Sequence, residues 1–155
     1  MEQPIVSGVA LDRNQARVTL RGVTDKPGIA ADIFRKLAEK NINVDMIIQN
    51  VGHDGTTNLG FTVPQNELEF TKQAISEIKA SQAMEYDSDI VKVSIVGVGM
   101  KSNSGVACKA FDTLASHGIN LEMISTSEIK ISMVINGKFG ELAVRALHSA
   151  YDLDK

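Results

Sequence analysis

Asp25, Lys26, Pro27 and Gly28 stand directly before a run of apolar residues at helical spacing. Pro27 suits the first turn of a helix, with Asp25 or Lys26 at the cap. A helix opening here presents unpaired backbone N–H groups backed by the positive end of its dipole, a receptor for a carboxylate. Asp25, at the tip, would hold an ammonium group. A carboxylate receptor beside a fixed carboxylate describes an α-amino acid site; the plainer alternative is that Asp25 only caps the helix. Asn43 and Asn120 each sit where a helix gives way to a strand, in N-I-N-V-D-M and G-I-N-L-E-M. They are either turn residues or matched contacts for one kind of ligand. Ser125, Thr126, Ser127 and Glu128 put four polar residues between two apolar strands. A tight hairpin accounts for the serines. It accounts less well for Glu128, because glutamate is depleted in strands, and a carboxylate there would meet a cationic side chain.

Other reactive residues carry less. Cys108 lies on a helix where the equivalent residue is Ala31, which predicts a small, partly buried side chain. A nucleophile would need an adjacent base, and none is indicated. His53, His117 and His148 lack metal-ligand spacing. G-V-G-M, residues 97–100, is too short for a dinucleotide fingerprint, and no phosphate-binding loop is present. The six methionines read as core filler. With no acid, base and nucleophile converging, the sequence argues for binding without catalysis, without a metal and without a cofactor in this chain.

Composition narrows the class further. A net charge of −3 gives no case for nucleic acid or an anionic membrane surface. No apolar run approaches the roughly 20 residues of a membrane-spanning helix, and the first residues carry no signal-peptide pattern. A single cysteine excludes an internal disulfide and fits a reducing, cytoplasmic setting. No tryptophan and two tyrosines leave no platform for stacking bases. With 43% hydrophobic residues the chain can fill a packed core, and 155 residues suit one ordinary domain or two small ones.

The elements that position these residues are written twice. Shifted by 77 positions, Gly28 falls on Gly105, Ala30 on Ala107, Phe34 on Phe111, Leu37 on Leu114 and Ala38 on Ala115. Ile42, Asn43, Met46 and Ile47 fall on Ile119, Asn120, Met123 and Ile124, making 9 identities over residues 28–50 without a gap. In the first copy, residues 17–23 alternate as a strand, with Val18, Leu20 and Gly22 on one side. A helix follows with Ala30, Ile33, Phe34, Leu37 and Ala38 on its apolar face. Residues 44–50 read as a nearly all-apolar, buried strand. An Asp-Gly turn in residues 51–55 leads to a returning strand, 57–63. A second helix carries Leu68, Thr71, Ile75 and Ile78, and residues 83–87 supply a fourth strand. The second copy repeats this as a strand from Val91, a helix 106–116, strands 121–127 and 129–135, and a helix 141–151, with a connection five residues shorter. It has no fourth strand of its own, whereas residues 5–11 form a spare strand ahead of the first copy. The expectation is α+β: two ferredoxin-like βαββαβ units with antiparallel sheets and helices on one face. The first covers residues 14–88. The second covers 89–155 and is completed by strand 4–11, since otherwise a sheet edge stays open.

D-K-P-G, N-I-N-V-D-M-I-I-Q-N, D-G-T-T, V-S-I-V-G-V-G-M and I-S-T-S-E-I-K-I-S together resemble the regulatory region of bacterial aspartate kinase, its tandem ACT domains. The resemblance runs from about Pro4 to Ala150. It implies either the separate small regulatory subunit or a C-terminal fragment of the longer enzyme. It also implies feedback inhibition of aspartate phosphorylation by threonine and lysine, with effector sites between two ACT units and a homodimer that contributes residues across its interface. The implied partner is the kinase domain or catalytic alpha subunit. Carried over, a threonine-type site uses Asp25, Lys26, Pro27, Gly28, Ala30 and Gln49, facing Asn120 and Leu121. A lysine-type site uses Met100, Lys101 and Ser102, facing Asn43, Val44 and Asp45, with Thr126, Ser127 and Glu128 nearby. There Asp45 or Glu128 meets the lysine ammonium. The second loop departs from D-K-P-G, with Ser102 in place of the aspartate and Ser104 in place of the proline. The nearest rival is the valine-responsive small subunit of acetohydroxyacid synthase. An acylphosphatase would need more around a phosphate loop than Arg21, and an RNA-recognition module would need aromatics on its central strands.

Overall fold

The computed structural model describes residues 5–52, 54–78, 81–98 and 104–153. In chain order the elements are β1 (Ile5–Asp12), β2 (Ala16–Thr24), α1 (Ile29–Glu39), β3 (Ile47–Val51), β4 (Thr56–Val63), α2 (Leu68–Ile78) and β5 (Ala83–Asp87). Then come β6 (Ile90–Val98), α3 (Ser104–Ser116), β7 (Met123–Thr126), β8 (Lys130–Asn136) and α4 (Gly140–Ala150). They form two four-stranded antiparallel sheets, ordered β3-β4-β2-β5 and β1-β6-β8-β7. Contacts divide the chain into a first unit, Asn14–Ser88, and a second, made of the residues up to Arg13 and those from Asp89 onward.

Each sheet has the split order of a ferredoxin-like unit, with its two long strands central and one helix after each of two strands. In the second sheet β1 occupies the place that β5 holds in the first. β1 pairs antiparallel with β6 from Ile5 opposite Val98 to Asp12 opposite Lys92. Val6, Val9 and Leu11 then pack against the core of Val91, Val93, Ile95, Leu114, Ile131 and Met133. The first unit has its own core around Val18, Leu20, Ile33, Leu37, Leu59 and Phe61. Phe34 closes it with an edge-to-face contact to Phe61, at 5.6 Å between ring centres.

Three local readings change. The alternation along β2 breaks at a bulge between Leu20 and Val23, where Gly22 takes φ +66°. The extra residue flips the parity, so Val23 and not Gly22 points into the core. The strand read over 44–50 as buried is β3, shorter and shifted to Ile47–Val51. It lies at the sheet edge and pairs only with β4, which leaves Ile47 54% and Val51 68% exposed. Its repeat partner, read over 121–127, is β7, a four-residue edge strand in which only Met123 is buried. A central strand is covered on both flanks by neighbours; an edge strand is not, and hydrophobicity by itself does not distinguish them.

Candidate functional site

The helix N-terminus at residues 25–30 forms differently from the sequence expectation. The cap residue of α1 is Gly28, in the left-handed region at φ +94°, and no side chain caps the helix. Neither Asp25 nor Lys26 takes that role, because Gly28 alone relieves the steric cost of turning the chain there. The Asp25 N–H donates to the Gly55 carbonyl at 2.9 Å, and the Lys26 N–H to the Thr24 carbonyl at 3.0 Å. The first bond ties the loop backbone to the tip of the β3–β4 hairpin, and the second closes a tight turn within the loop. The Asp25 carboxylate makes no hydrogen bond or ion pair among the described residues, and residues 25–28 are all exposed. The helical ladder starts with the Asp32 N–H on the Gly28 carbonyl, at 2.9 Å. The amides of Ala30 and Ala31 lie ahead of it, in the first turn. A carboxylate without a partner among the described residues and a helix N-terminus thus stand on one loop, tied to the hairpin at Gly55.

Gln49 lies on β3 opposite Leu59, an exposed side chain on the helix-covered side of the sheet, two strands from the one that leads to Asp25. Asn43 and Asn120 follow matching helix ends. Asn41 at φ 57° and Gly118 at φ 71° take the left-handed position. The Ile42 N–H then reaches the Leu37 carbonyl, and the Ile119 N–H the Leu114 carbonyl, both at 3.0 Å. The residues that terminate the helices are therefore 41 and 118, and the turn does not require asparagine at 43 or 120. Asn43 donates its N–H to Glu67 at 3.0 Å and its carboxamide to both Glu67 oxygens at 3.3 Å. Asn120 is exposed and makes no hydrogen bond among the described residues. Val44 and Leu121 are half-buried against their own cores. The Asp45 N–H bonds the Thr62 carbonyl at 3.0 Å, and the Glu122 N–H the Val134 carbonyl at 2.8 Å.

S-T-S-E is the β7–β8 hairpin. Thr126 ends β7 opposite Ile131, and the Ser127 N–H donates to the Lys130 carbonyl at 2.8 Å. Glu128 lies in the bend and not in a strand, so its strand propensity is irrelevant, and its exposed carboxylate has no partner among the described residues. Met100, Lys101 and Ser102 lie outside the described residues, as does His53. In the first unit residues 25–30 lie at the end of β2, beside Gly55, whereas 43–45 follow the far end of α1, where Asp45 bonds Thr62 beside the start of β2; the second unit holds Asn120, Leu121 and residues 126–128.

Cys108 is exposed, contrary to the expectation of partial burial. The buried stripe of α3 is Val106, Ala110 and Leu114, and Cys108 falls off it. The Asp112 carboxylate, 3.6 Å away, pushes the thiol pKa up, which disfavours a thiolate nucleophile. Among the described residues no group of three potential metal ligands converges. No described helix is long and apolar enough to cross a membrane. One feature was not legible in the sequence: a groove of about 570 Å³ in the first unit, lined by Gly22, Asn50, Asp54, Asn58 and Gln82 among others. At the bulge there the Gly22 N–H donates to the Asn58 carboxamide oxygen at 3.2 Å. Asp54 there has its pKa lowered, first by the Thr56 hydroxyl and then by backbone N–H groups.

The fold defines a protein of two ferredoxin-like units, with an open carboxylate beside a helix N-terminus at residues 25–30 of the first. A family model for the ACT domain matches residues 18–78 and 93–151, one match in each unit. The aspartokinase of Helicobacter pylori strain ATCC 700392 is 60% identical over all of this chain, which spans 38% of that relative's length. The regulatory subunit of aspartate kinase from Thermus thermophilus, in its ligand-free form, superposes with TM-score 0.89 at 44% identity, covering 94% of this chain and 98% of that one. Escherichia coli aspartokinase III in complex with lysine and aspartate superposes with TM-score 0.74 at 26% identity, over 96% of this chain and 34% of that one. The chain belongs to the ACT-domain family, as the tandem-ACT regulatory region of an aspartate kinase.

Proposed function

We propose that this chain senses threonine, lysine or both as feedback effectors and passes their binding to the catalytic part of an aspartate kinase. The observation that carries the reading is the loop at Asp25: an exposed carboxylate with no protein partner, on a backbone pinned to Gly55, beside the first-turn amides of α1. The carboxylate takes an amino acid's ammonium and the amides take its carboxylate. Gln49 and Ala30 complete this half of a threonine-type site, with Asn120 and Leu121 facing them. Asn43, Val44 and Asp45 belong to the lysine-type site with Thr126, Ser127 and Glu128, and Met100, Lys101 and Ser102 form its loop. The lysine bound to the related Escherichia coli enzyme supports an amino-acid effector.

The relatives extend well beyond this chain, and the phosphorylation of aspartate is assigned to that remaining part. The apolar edges at Ile47, Val51 and Ile124 support a homodimer, since exposed edge strands with large side chains seek a partner; the single cysteine fits a cytoplasmic setting. An effector bound between units fixes their orientation and shifts the kinase toward its inhibited state. It does so only by its difference in affinity for the two states, and about 1–3 kcal/mol of coupling gives several-fold to hundredfold control.

Titration calorimetry of the chain with threonine, lysine, both and valine tests this. Binding of threonine, lysine or both, with threonine binding weakened at least about tenfold in Asp25→Ala by the loss of one charge-assisted contact, is the expected result. Binding of valine alone would overturn it in favour of another ACT-type sensor.

A further inference from the structure

We propose that the Glu67 carboxylate is a built-in occupant of the half-site at Asn43, so that the two asparagine half-sites of the repeat are unequal and Glu67 weakens one of them. This rests on the reading above, in which both asparagine turns face an amino-acid effector. The two turns have one backbone geometry. Each helix ends in a left-handed residue, at Asn41 and Gly118, and the next segment bonds the end of the returning strand through Asp45 and Glu122. In each unit a short 3-10 turn leads into the second helix, Gln65–Glu67 before α2 and Gly137–Phe139 before α4.

The residue that ends this turn differs. In the first unit it is Glu67, and its carboxylate collects the Asn43 N–H at 3.0 Å and the Asn43 carboxamide at 3.3 Å. In the second unit the corresponding residue is Phe139, which packs against the core and offers Asn120 no acceptor. Asn120 accordingly keeps its donors open, while those of Asn43 are taken.

The occupant has the chemistry of the ligand it displaces. One backbone N–H and one carboxamide aimed at the same carboxylate make a receptor for an acceptor group such as an amino acid's carboxylate. Glu67 makes no ion pair among the described residues; its contacts are to these neutral donors. An effector that uses Asn43 must first expel Glu67, and its apparent affinity falls by that competition. An effector that uses Asn120 faces no such competitor. The amino acid of the Asn43 site, lysine, therefore binds more weakly than it would to the same half-site without Glu67, whereas threonine at the Asn120 site is unaffected.

Calorimetry on the whole chain, as wild type, Glu67→Gln and Glu67→Ala, separates the possibilities, with Glu69→Gln as a surface control that leaves Asn43 untouched. Lysine affinity rises about threefold in Glu67→Gln and about tenfold in Glu67→Ala, a tenfold gain being about 1.4 kcal/mol, the scale of one hydrogen bond to a charged group. Threonine affinity stays within about twofold. Lysine binding unchanged in both variants, with a lower melting temperature in Glu67→Ala, makes Glu67 a brace of the turn and overturns the proposal while leaving the sensor reading intact. Neither amino acid binding to any of the proteins overturns both.

Discussion

Single side chains in this molecule separate by whether the fold uses up their bonding capacity. Asp25 and Glu128 keep their carboxylates open among the described residues, whereas Asn43 spends its donors on Glu67. Tyr151 shows the opposite extreme. Its hydroxyl donates to the Val106 carbonyl at 2.6 Å, tying the end of α4 to the start of α3, and burial pushes its pKa from 10.0 up to about 12. A phenol whose folded pKa lies above its unfolded value contributes stability below pH 10 that is lost as pH rises toward 12. The melting temperature should fall through that window, and Tyr151→Phe should flatten the fall. The variant should also cost about 1 kcal/mol at neutral pH for the lost hydrogen bond. Thermal denaturation across an alkaline pH series checks the sign; a fall of equal slope in the variant would assign it to other groups.

At the scale of elements, the edge strands matter most. β3 and β7 occupy the same place in the two sheets and expose isoleucine at matched positions, Ile47 at 54% and Ile124 at 39%. Solvent-exposed apolar side chains contribute little to the fold of the chain that carries them, so replacing them by lysine should change its stability by less than about 0.5 kcal/mol. If these edges meet a second copy, the same change buries unpaired charge in the interface. Ile47→Lys with Val51→Lys should therefore give a monomer that melts like the parent, as read by analytical ultracentrifugation and calorimetric scanning. A dimer that persists at unchanged affinity would place the interface elsewhere.

For the whole molecule, the decisive fact is that β1 is separated from its unit by the other unit. The first unit is one continuous stretch with its own core, and the second is assembled from the two ends of the chain. Deleting residues 1–13 removes β1 from beside β6 and strips Val6, Val9 and Leu11 from the core. Three half-buried apolar side chains and a strand ladder are worth several kcal/mol, comparable with the total stability of a small domain. The shortened chain should show the first unit folded and the second molten, as two separated transitions in denaturant. Hydrogen exchange should show slow amides in β2 and β4 and fast ones in β6 and β8. One cooperative transition with slow amides in β6 would show that β1 is dispensable.

Much of this was legible before any coordinates. The repeat at 77 positions, the helical spacing of Ile33, Phe34 and Leu37, the helix over 106–116 as its echo, and the surplus strand at the N-terminus follow from periodicity, because a strand or helix must bury its apolar side wherever it ends up. The Asp25 loop was legible as a helix start because proline fixes φ for a first helical turn and glycine permits the turn that leads into it. Its true cap at Gly28, the parity flip at Gly22 and the exposure of β3 and β7 were not. These depend on which strand lies beside which, and a sheet edge is defined only by the neighbour it lacks. The inequality of Asn43 and Asn120 was hidden for the same reason. Their local sequences are similar, and what separates them is Glu67, brought alongside Asn43 by the fold from 24 positions further along the chain, where the second unit has Phe139 packed against its core.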